Sequence, residues 1–242
     1  MVVKLKTTIL FDLGGTLARY YTIKEFPPIL ERAIGEVQSC LREKHLLNAP
    51  PSVIRRRVRE EDHESPDYRS RPLEDRLTRI FGLDASVATE GVLMEMCRRF
   101  MVPIFALGKC YDDTLPALEG LTGSGFRLAI VSNTSWGCPS AMWRGEVKRL
   151  GLDSFMDVVV FDRDLGWRKP AKAIFESALK SLGVVPKECL FVGDEPKWDL
   201  EGPRDAGIDA VLIDRNRRLH RDLEEKTIRD LSSLNRIVRD RF

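Results

Sequence analysis

TTILFDLGGTL, residues 7–17, is the stretch from which the architecture of this 242-residue chain can be worked out. A short run of apolar and β-branched residues ends abruptly at Asp12, and two glycines follow within three residues. Such a run, closed by glycines, predicts a buried strand that leads into a turn. A carboxylate at the end of a strand in an open α/β sheet lies where these sheets bind ligands, although an aspartate can also simply begin a turn.

Apolar strands alternate with helices in the second half of the chain. The predicted strands are residues 127–131, 158–161, 189–192 and 210–213, and the predicted helices are residues 115–121, 139–150, 171–182, 199–206 and 231–238. This alternation is typical of βα units joined by right-handed crossovers on a parallel sheet. Because the strand before Asp12 belongs to the same set, we predict an α/β fold with a central parallel sheet and helices on both faces.

The segment between the first strand and this alternating part contains no convincing strand. Apolar residues at helical spacing predict four helices there, the last of which ends at Pro103. The predicted helix starts are Pro28, Ser52, Pro72 and Asp84. We therefore interpret residues 18–105 as an all-helical insertion, and residues 1–17 and 106–242 as one core into which it is inserted.

The composition excludes several classes of protein. The formal net charge of +2 gives no basis for nucleic-acid binding, and no apolar run approaches the length of a membrane span. The five cysteines are scattered, odd in number and without a CxxC pair. This usage favours reduced thiols in the cytoplasm over a disulfide framework or a zinc site. We therefore expect a cytoplasmic protein with neither nucleic acid nor a membrane as a partner, and the oligomeric state stays open.

Residues able to do chemistry follow the predicted strands or precede the helices. They are Asp12, Ser132, Asn133, Lys169, Asp194 and Asp199. Because strand-to-helix turns lie along one edge of a parallel sheet, we expect these side chains to converge. Carboxylates are hard oxygen ligands for Mg²⁺, and a carboxylate can also act as a nucleophile that forms an aspartyl phosphate. A lysine neutralises phosphoryl oxygens, so the set suits phosphoryl transfer.

The motifs FDxxGTL, IVSN, KP and VGDxxxxD, in this order, resemble those of the haloacid dehalogenase superfamily. The resemblance covers residues 1–17 and 106–215, and the helical insertion is similar to the small cap of the helical-cap subclass. It implies a Rossmann-like sheet with the strand order 5-4-1-2-3. It also implies an α-helical cap that closes over the site on hinges at residues 18–22 and 106–110.

The resemblance further implies roles for the matching residues. Asp12 matches the nucleophile that attacks phosphorus, and Lys169 matches the residue that pairs with the nucleophile and the transferring group. Ser132 matches the hydroxyl that binds the phosphoryl group, and Asn133 lies beside it. Thr16 matches a hydroxyl that holds the turn, so it is counted with the substrate-binding residues.

A Mg²⁺ site is implied by the same resemblance. Its ligands would be the carboxylates of Asp12 and Asp194 and the backbone carbonyl of Gly14. Asp199 matches either a further ligand or a residue that supports the ligands from outside. The implied cofactor is therefore Mg²⁺, and the implied substrate is a small phosphorylated metabolite.

Gly14 is the one serious departure from the family pattern. Phosphatases of this family usually carry there a second aspartate, which acts as general acid and base. Such a group contributes about 10²–10⁴-fold in rate, or roughly 3–5 kcal/mol of barrier. Its absence favours acyl, anomeric or aryl phosphates, whose leaving groups need little protonation, or a proton supplied by the cap or by the substrate.

The sequence thus predicts a Mg²⁺-dependent phosphatase that works through an aspartyl phosphate, and it leaves alternatives open. A metal-free 2-haloacid dehalogenase also lacks the second aspartate, but such enzymes do not keep the GD motif and its acidic residue near the last strand, whereas this chain keeps Gly193-Asp194 and Asp199. A phosphonate-cleaving enzyme would need a cap lysine, and nothing marks Lys24 or Lys44 for that role. A non-catalytic protein that binds phosphate ligands is the alternative from a different class.

Overall fold

The computed structural model describes residues 6–22, 24–61, 66–215 and 227–241. In chain order, the strands are β1 (Thr8–Phe11), β2 (Ala18–Arg19), β3 (Lys109–Cys110), β4 (Arg127–Ser132), β5 (Val158–Phe161), β6 (Cys189–Gly193), β7 (Asp209–Ile213) and β8 (Thr227–Ile228). The α-helices are α1 (Phe26–Glu43), α2 (Pro51–Glu60), α3 (Leu73–Phe81), α4 (Glu90–Phe105), α5 (Thr114–Gly123), α6 (Ser140–Arg149), α7 (Asp162–Leu165), α8 (Lys172–Leu182), α9 (Gly202–Asp205) and α10 (Leu234–Arg241).

Six strands form one parallel sheet in the order β5-β4-β1-β6-β7-β8. Five of them are the strands that the sequence predicts, and read from β7 to β5 they follow the predicted order 5-4-1-2-3. The difference is β8, a sixth strand beyond β7, which is too short to leave a readable pattern in the sequence. Because β1 is flanked on both sides, Asp12 lies near the middle of the carboxyl edge of the sheet.

Helices cover both faces of the sheet, as predicted for α/β folds. Alternate residues of β1 point to opposite faces, because the side-chain period of a strand is two. Ile9 and Phe11 are buried in one cluster together with Leu118 of α5. Leu10 is buried in a second cluster together with Phe175 of α8. A strand buried on both faces explains why the first apolar run is continuous rather than alternating.

Helices α1 to α4 occupy most of residues 18–105, and α4 packs against both α1 and α3. Several details differ from the prediction, and one is the start of α4, which is Glu90 rather than Asp84. Residues 18–19 form β2, which pairs antiparallel with β3. Helix α4 continues through Pro103 instead of ending there. Pro103 lies in the last turn of α4, where its missing N–H removes a single hydrogen bond, while Met101 and Ile104 beside it stay buried.

The segment after β6 is shorter and more irregular than the predicted helix 199–206. It begins with a π-helical turn, Pro196–Glu201, and α9 follows it. Pro203 explains the late start of α9, since a proline is tolerated in the first turn of a helix but not further in. The C-terminal helix α10 begins three residues later than the predicted 231–238. Within the described ranges, no helix combines the length and the apolarity that crossing a membrane requires.

Candidate active site

Asp12 directly follows β1 at the carboxyl edge of the sheet, and it is buried. Its backbone N–H donates to the carbonyl of Val192 at 2.9 Å, so the pairing of β1 with β6 holds this residue in place. Its Oδ1 accepts hydrogen bonds from Ser132 Oγ at 2.9 Å and from Lys169 Nζ at 2.5 Å. Three predicted site residues from distant parts of the chain therefore meet at one carboxylate oxygen.

Lys169 is buried between two carboxylates. Its Nζ donates to Asp199 Oδ1 at 2.7 Å as well as to Asp12. Burial alone would lower the pKa of this lysine, but the carboxylates of Asp12 and Asp199 outweigh burial and raise the pKa of Lys169. Lys169 is thus a fixed positive charge at the centre of the site.

Three carboxylates gather around this lysine. Oxygen atoms of Asp12, Asp194 and Asp199 all lie within 4.8 Å of one another. Asp199 uses both of its oxygens within the protein: Oδ1 accepts from Lys169, and Oδ2 accepts from the backbone N–H groups of Asp194 and Glu195, each at 3.0 Å. Asp199 therefore holds the loop that carries Asp194, which favours its supporting role over that of a direct metal ligand.

Two glycines allow the acidic side chains to come this close to the backbone. Gly15 has a φ of +79°, and a Cβ added there would lie 2.3 Å from Asp194 Oδ2. A Cβ on Gly193 would lie 2.4 Å from Asp199 Cγ. Glycine at these two positions is therefore a steric requirement of the carboxylate cluster.

The donor set fits a divalent cation. Burial and the neighbouring carboxylates of Asp12 and Asp199 raise the pKa of Asp194 to about 8. Burial of the carboxyl group is the larger cause, and the negative charges of Asp12 and Asp199 add to it, since the ammonium of Lys169 is bonded to those two carboxylates. Hard oxygen donors in such a cluster suit Mg²⁺, which takes few protein ligands and keeps positions for substrate oxygens.

Asn133 and Thr16, both predicted to bind substrate, lie in different surroundings. The Asn133 side chain clamps the backbone of Lys169: its Oδ1 accepts from the Lys169 N–H at 2.8 Å, and its Nδ2 donates to the Lys169 carbonyl at 3.3 Å. Thr16 is fully buried, and its carbonyl accepts hydrogen bonds from the Arg215 guanidinium. The Thr16 side chain is not part of the cavity wall, and within the described residues its hydroxyl has no hydrogen-bond partner.

Gly14 differs sharply from its neighbour Gly15. A Cβ added at Gly14 would meet only the ring of Tyr20, with Cδ2 at 3.8 Å, which is an ordinary contact distance. The backbone at Gly14 therefore has room for a side chain, and nothing steric demands glycine there. The fold therefore does not require glycine at position 14, and the missing carboxylate has no steric cause.

Asp162 is a buried residue at the same edge of the sheet that the sequence reading missed. It directly follows β5 and is fully inaccessible to solvent. Its Oδ1 accepts from the backbone N–H of Thr134 at 2.6 Å, and its Oδ2 accepts from Ser70 Oγ at 2.6 Å. The sequence does contain a signal for it, because Asp162 directly follows the predicted strand 158–161, just as Asp12 follows the first predicted strand.

The site opens into a cavity of about 550 Å³. Asp12, Gly14, Ser132, Lys169 and Asp194 line one part of it. The remaining wall is rich in arginines and aromatic rings, including Arg71, Arg76, Arg168, Tyr20, Trp136 and Trp198. A cavity of this size can hold a small metabolite, and cationic side chains on its wall favour an anionic one.

Comparison with known proteins identifies relatives of this chain. The family model described as haloacid dehalogenase-like hydrolase matches residues 6–207. A glyceraldehyde 3-phosphate phosphatase from Methanothermobacter thermautotrophicus is 33% identical over 141 residues, which cover 55% of this chain and 61% of that protein. This chain therefore matches less than two thirds of that relative's length.

Two solved structures resemble almost the whole chain. A HAD phosphatase from Thermococcus onnurineus has a TM-score of 0.67 and 27% identity, covering 96% of this chain and 97% of that one. A 2-haloacid dehalogenase from Pseudomonas syringae has a TM-score of 0.71 and 23% identity, covering 97% and 99%. At that identity, the likeness to the dehalogenase shows a shared fold and nothing about the reaction.

Proposed function

Because this chain belongs to the haloacid dehalogenase-like hydrolases, we propose that it is a Mg²⁺-dependent phosphatase. Its substrate would be a small phosphorylated metabolite, and the reaction would pass through an aspartyl phosphate on Asp12. The observation that carries this proposal is the meeting of Asp12, Ser132 and Lys169 beside the carboxylate of Asp194 at the wall of one cavity. The phosphatase names of the relatives described above add support.

The first step would be attack of Asp12 on phosphorus. Oδ1 of Asp12 is engaged by Lys169 and Ser132, so Oδ2 is the oxygen left to form the new P–O bond. The bond from phosphorus to the leaving oxygen breaks; an aryl oxygen departs as the anion, and an alkyl oxygen takes up a proton from solvent or from the substrate itself. Lys169 and Ser132 orient the carboxylate, and they lie where they can donate to the phosphoryl oxygens as charge builds on them.

In the second step water attacks the phosphorus of the aspartyl phosphate. Inorganic phosphate leaves, and the carboxylate of Asp12 is restored. Mg²⁺, when bound, would neutralise charge on the phosphoryl oxygens. The residues able to hold it are Asp12, Asp194 and the carbonyl of Gly14, with Asp199 fixing the loop of Asp194. Asn133 would act indirectly, by clamping the backbone of Lys169.

We further propose that residues 18–105 form a cap on a core made of residues 1–17 and 106–242. The two chain crossings, near residues 18–22 and 106–110, are joined by the pairing of β2 with β3. Small rotations of the backbone at this ribbon would move the helices relative to the sheet. Closure would exclude water from the cavity during the first step.

A metal-free dehalogenase is the second candidate, because Gly14 removes the usual acid of the phosphatases. The carboxylate cluster argues against it. Burial, together with the nearby charges of Asp12 and Asp199, raises the pKa of Asp194, and a metal-free site has no use for a third carboxylate placed there. Location in the cytoplasm and the absence of nucleic-acid and membrane partners stay predictions.

The decisive experiment is hydrolysis of p-nitrophenyl phosphate by the wild type and by Asp12→Asn, with Mg²⁺ and with chelator. Asp157→Asn is a matched control, because Asp157 lies at the opposite end of β5 and pairs with the exposed Arg127. We expect turnover only with Mg²⁺ and with Asp12, and an unchanged rate in Asp157→Asn. Turnover of 2-chloropropionate with chelator present, together with no phosphate release, would replace the phosphatase by the dehalogenase.

A further inference from the structure

Residues 66–71, here called the strap, precede α3 and contact the loops that carry the site. The backbone N–H of Ser70 donates to the carbonyl of Gly166 at 2.9 Å, and the N–H of Arg168 donates to the carbonyl of Tyr68 at 2.8 Å. These two bonds form an antiparallel bridge between Arg69 and Trp167. The strap therefore pairs with the backbone immediately before Lys169.

The strap also contacts the loops that follow β4 and β6. The Arg71 carbonyl lies so close to Gly137 that a Cβ there would come within 1.8 Å of the Arg71 oxygen. Lys197, from the turn that contains Asp199, places its ammonium 5.4 Å from the centre of the Tyr68 ring. One segment of the insertion thus touches the loops that follow β4, β5 and β6.

Asp162 is the point where the strap meets the loop after β4. Its two oxygens are divided between them: Oδ2 accepts from Ser70 Oγ of the strap, and Oδ1 accepts from the N–H of Thr134, both at 2.6 Å. Hydrogen bonds to an ionised acceptor are stronger than neutral ones, and burial strengthens them further. Thr134 is two residues beyond Ser132, so its backbone position limits where the Ser132 hydroxyl can point.

We propose that Asp162 and Ser70 are positioning residues that couple the strap to the phosphoryl-binding groups. While Ser70 is hydrogen-bonded to Asp162, the loop after β4 is held in place through Thr134. The backbone that precedes Lys169 is held in place through the bridge between Arg69 and Trp167. Both donors to Asp12 Oδ1 are then in place. If the strap moves away, Ser132 and Lys169 both lose this support, so the site is complete only while the strap is bound in this position. The catalytic part of this inference rests on the proposed function.

The first test measures structure and does not depend on turnover. Hydrogen–deuterium exchange of the segment 132–138 is compared in the wild type, Ser70→Ala and Ser70→Thr, with Ser154→Ala as a matched control. Ser154 is exposed on the 3₁₀ turn that precedes β5, away from the strap. We expect exchange at Thr134 to rise at least about tenfold in Ser70→Ala, the effect of losing one charge-assisted hydrogen bond, and to recover in Ser70→Thr.

The second test uses p-nitrophenyl phosphate hydrolysis with Mg²⁺. Ser70→Ala and Asp162→Asn should each lower kcat by about tenfold or more, and the double variant should be no slower than Asp162→Asn alone, since both remove one coupling. Unchanged exchange in 132–138, or losses that multiply in the double variant, would overturn the proposal. If the wild type lacks phosphatase activity, the exchange result still decides whether the strap holds the loop, which separates this inference from the proposed function.

Discussion

Replacing Gly14 by aspartate should give this protein the general acid that its first motif lacks. The structure has room for the change, because a Cβ at Gly14 would meet only Tyr20 Cδ2, at 3.8 Å. Gly14 also lines the same cavity as Asp12, so a carboxylate there would face a phosphate ester that binds in this cavity. The substitution therefore adds a carboxyl group on a Cβ that makes no close contact.

The size of the gain depends on the leaving group. A positioned general acid is worth about 10²–10⁴-fold, or roughly 3–5 kcal/mol of barrier. For an alkyl phosphate, whose leaving oxygen must be protonated, we expect Gly14→Asp to raise kcat/KM by about 10²-fold, the lower end, because the new carboxylate must share space with the Tyr20 ring. For an aryl phosphate, whose leaving group is stable as an anion, we expect less than about tenfold.

The assay compares kcat/KM for glycerol 2-phosphate and p-nitrophenyl phosphate in the wild type, Gly14→Asp and Gly14→Asn. Asparagine is the matched control, since it has the shape of aspartate and no acidic proton. The measured quantity is the alkyl-to-aryl ratio of kcat/KM, which cancels differences in active-site content. An unchanged ratio in Gly14→Asp, or an equal rise in Gly14→Asn, would refute the assignment of position 14 as the place of the missing acid.

Three further predictions concern the carboxylate cluster. Gly15→Ala should abolish phosphatase turnover and lower the free energy of unfolding in urea by about 1–2 kcal/mol, because the φ of +79° suits glycine and a Cβ would collide with Asp194. Gly14→Ala, its neighbour with open space, should fold like the wild type, and equal losses in both variants would contradict this reading. With chelator present to remove metal, Lys169→Met should lower the free energy of unfolding by about 3–5 kcal/mol, because it leaves the buried carboxylates of Asp12 and Asp199 without their cation. Mg²⁺ at 100 times its Kd should raise Tm by roughly 5–10 °C, since saturation at that level adds about 2.7 kcal/mol. This shift should disappear in Asp194→Asn, and a shift that persists there would place the metal elsewhere.

The position of the site could be predicted because strand ends carry their own signal. Asp12, Ser132 and Asp194 each lie at the end of a short apolar run, and parallel strands bring such ends to one edge. The structure brings these residues together with Lys169. Their catalytic roles stay predictions until turnover is measured.

The use of individual side-chain atoms could not be predicted. The side-chain amide of Asn133 is hydrogen-bonded to the backbone of Lys169. Both carboxylate oxygens of Asp199 accept hydrogen bonds, one from Lys169 and the other from two backbone N–H groups. Thr16 keeps its side chain outside the cavity. These outcomes depend on which donors and acceptors the folded chain brings next to each side chain, and residue type and spacing say nothing about that.

From the chain alone one can derive the α/β class, the helical insertion and the edge of the sheet that carries the chemistry. These follow from local periodicity and from the rule that parallel βα units align their carboxyl ends. Only the tertiary structure joins Ser70 to Asp162 and Arg69 to Trp167, pairs that are about a hundred residues apart. Contacts between distant segments depend on how the insertion packs against the core, and no local pattern of residues records that packing.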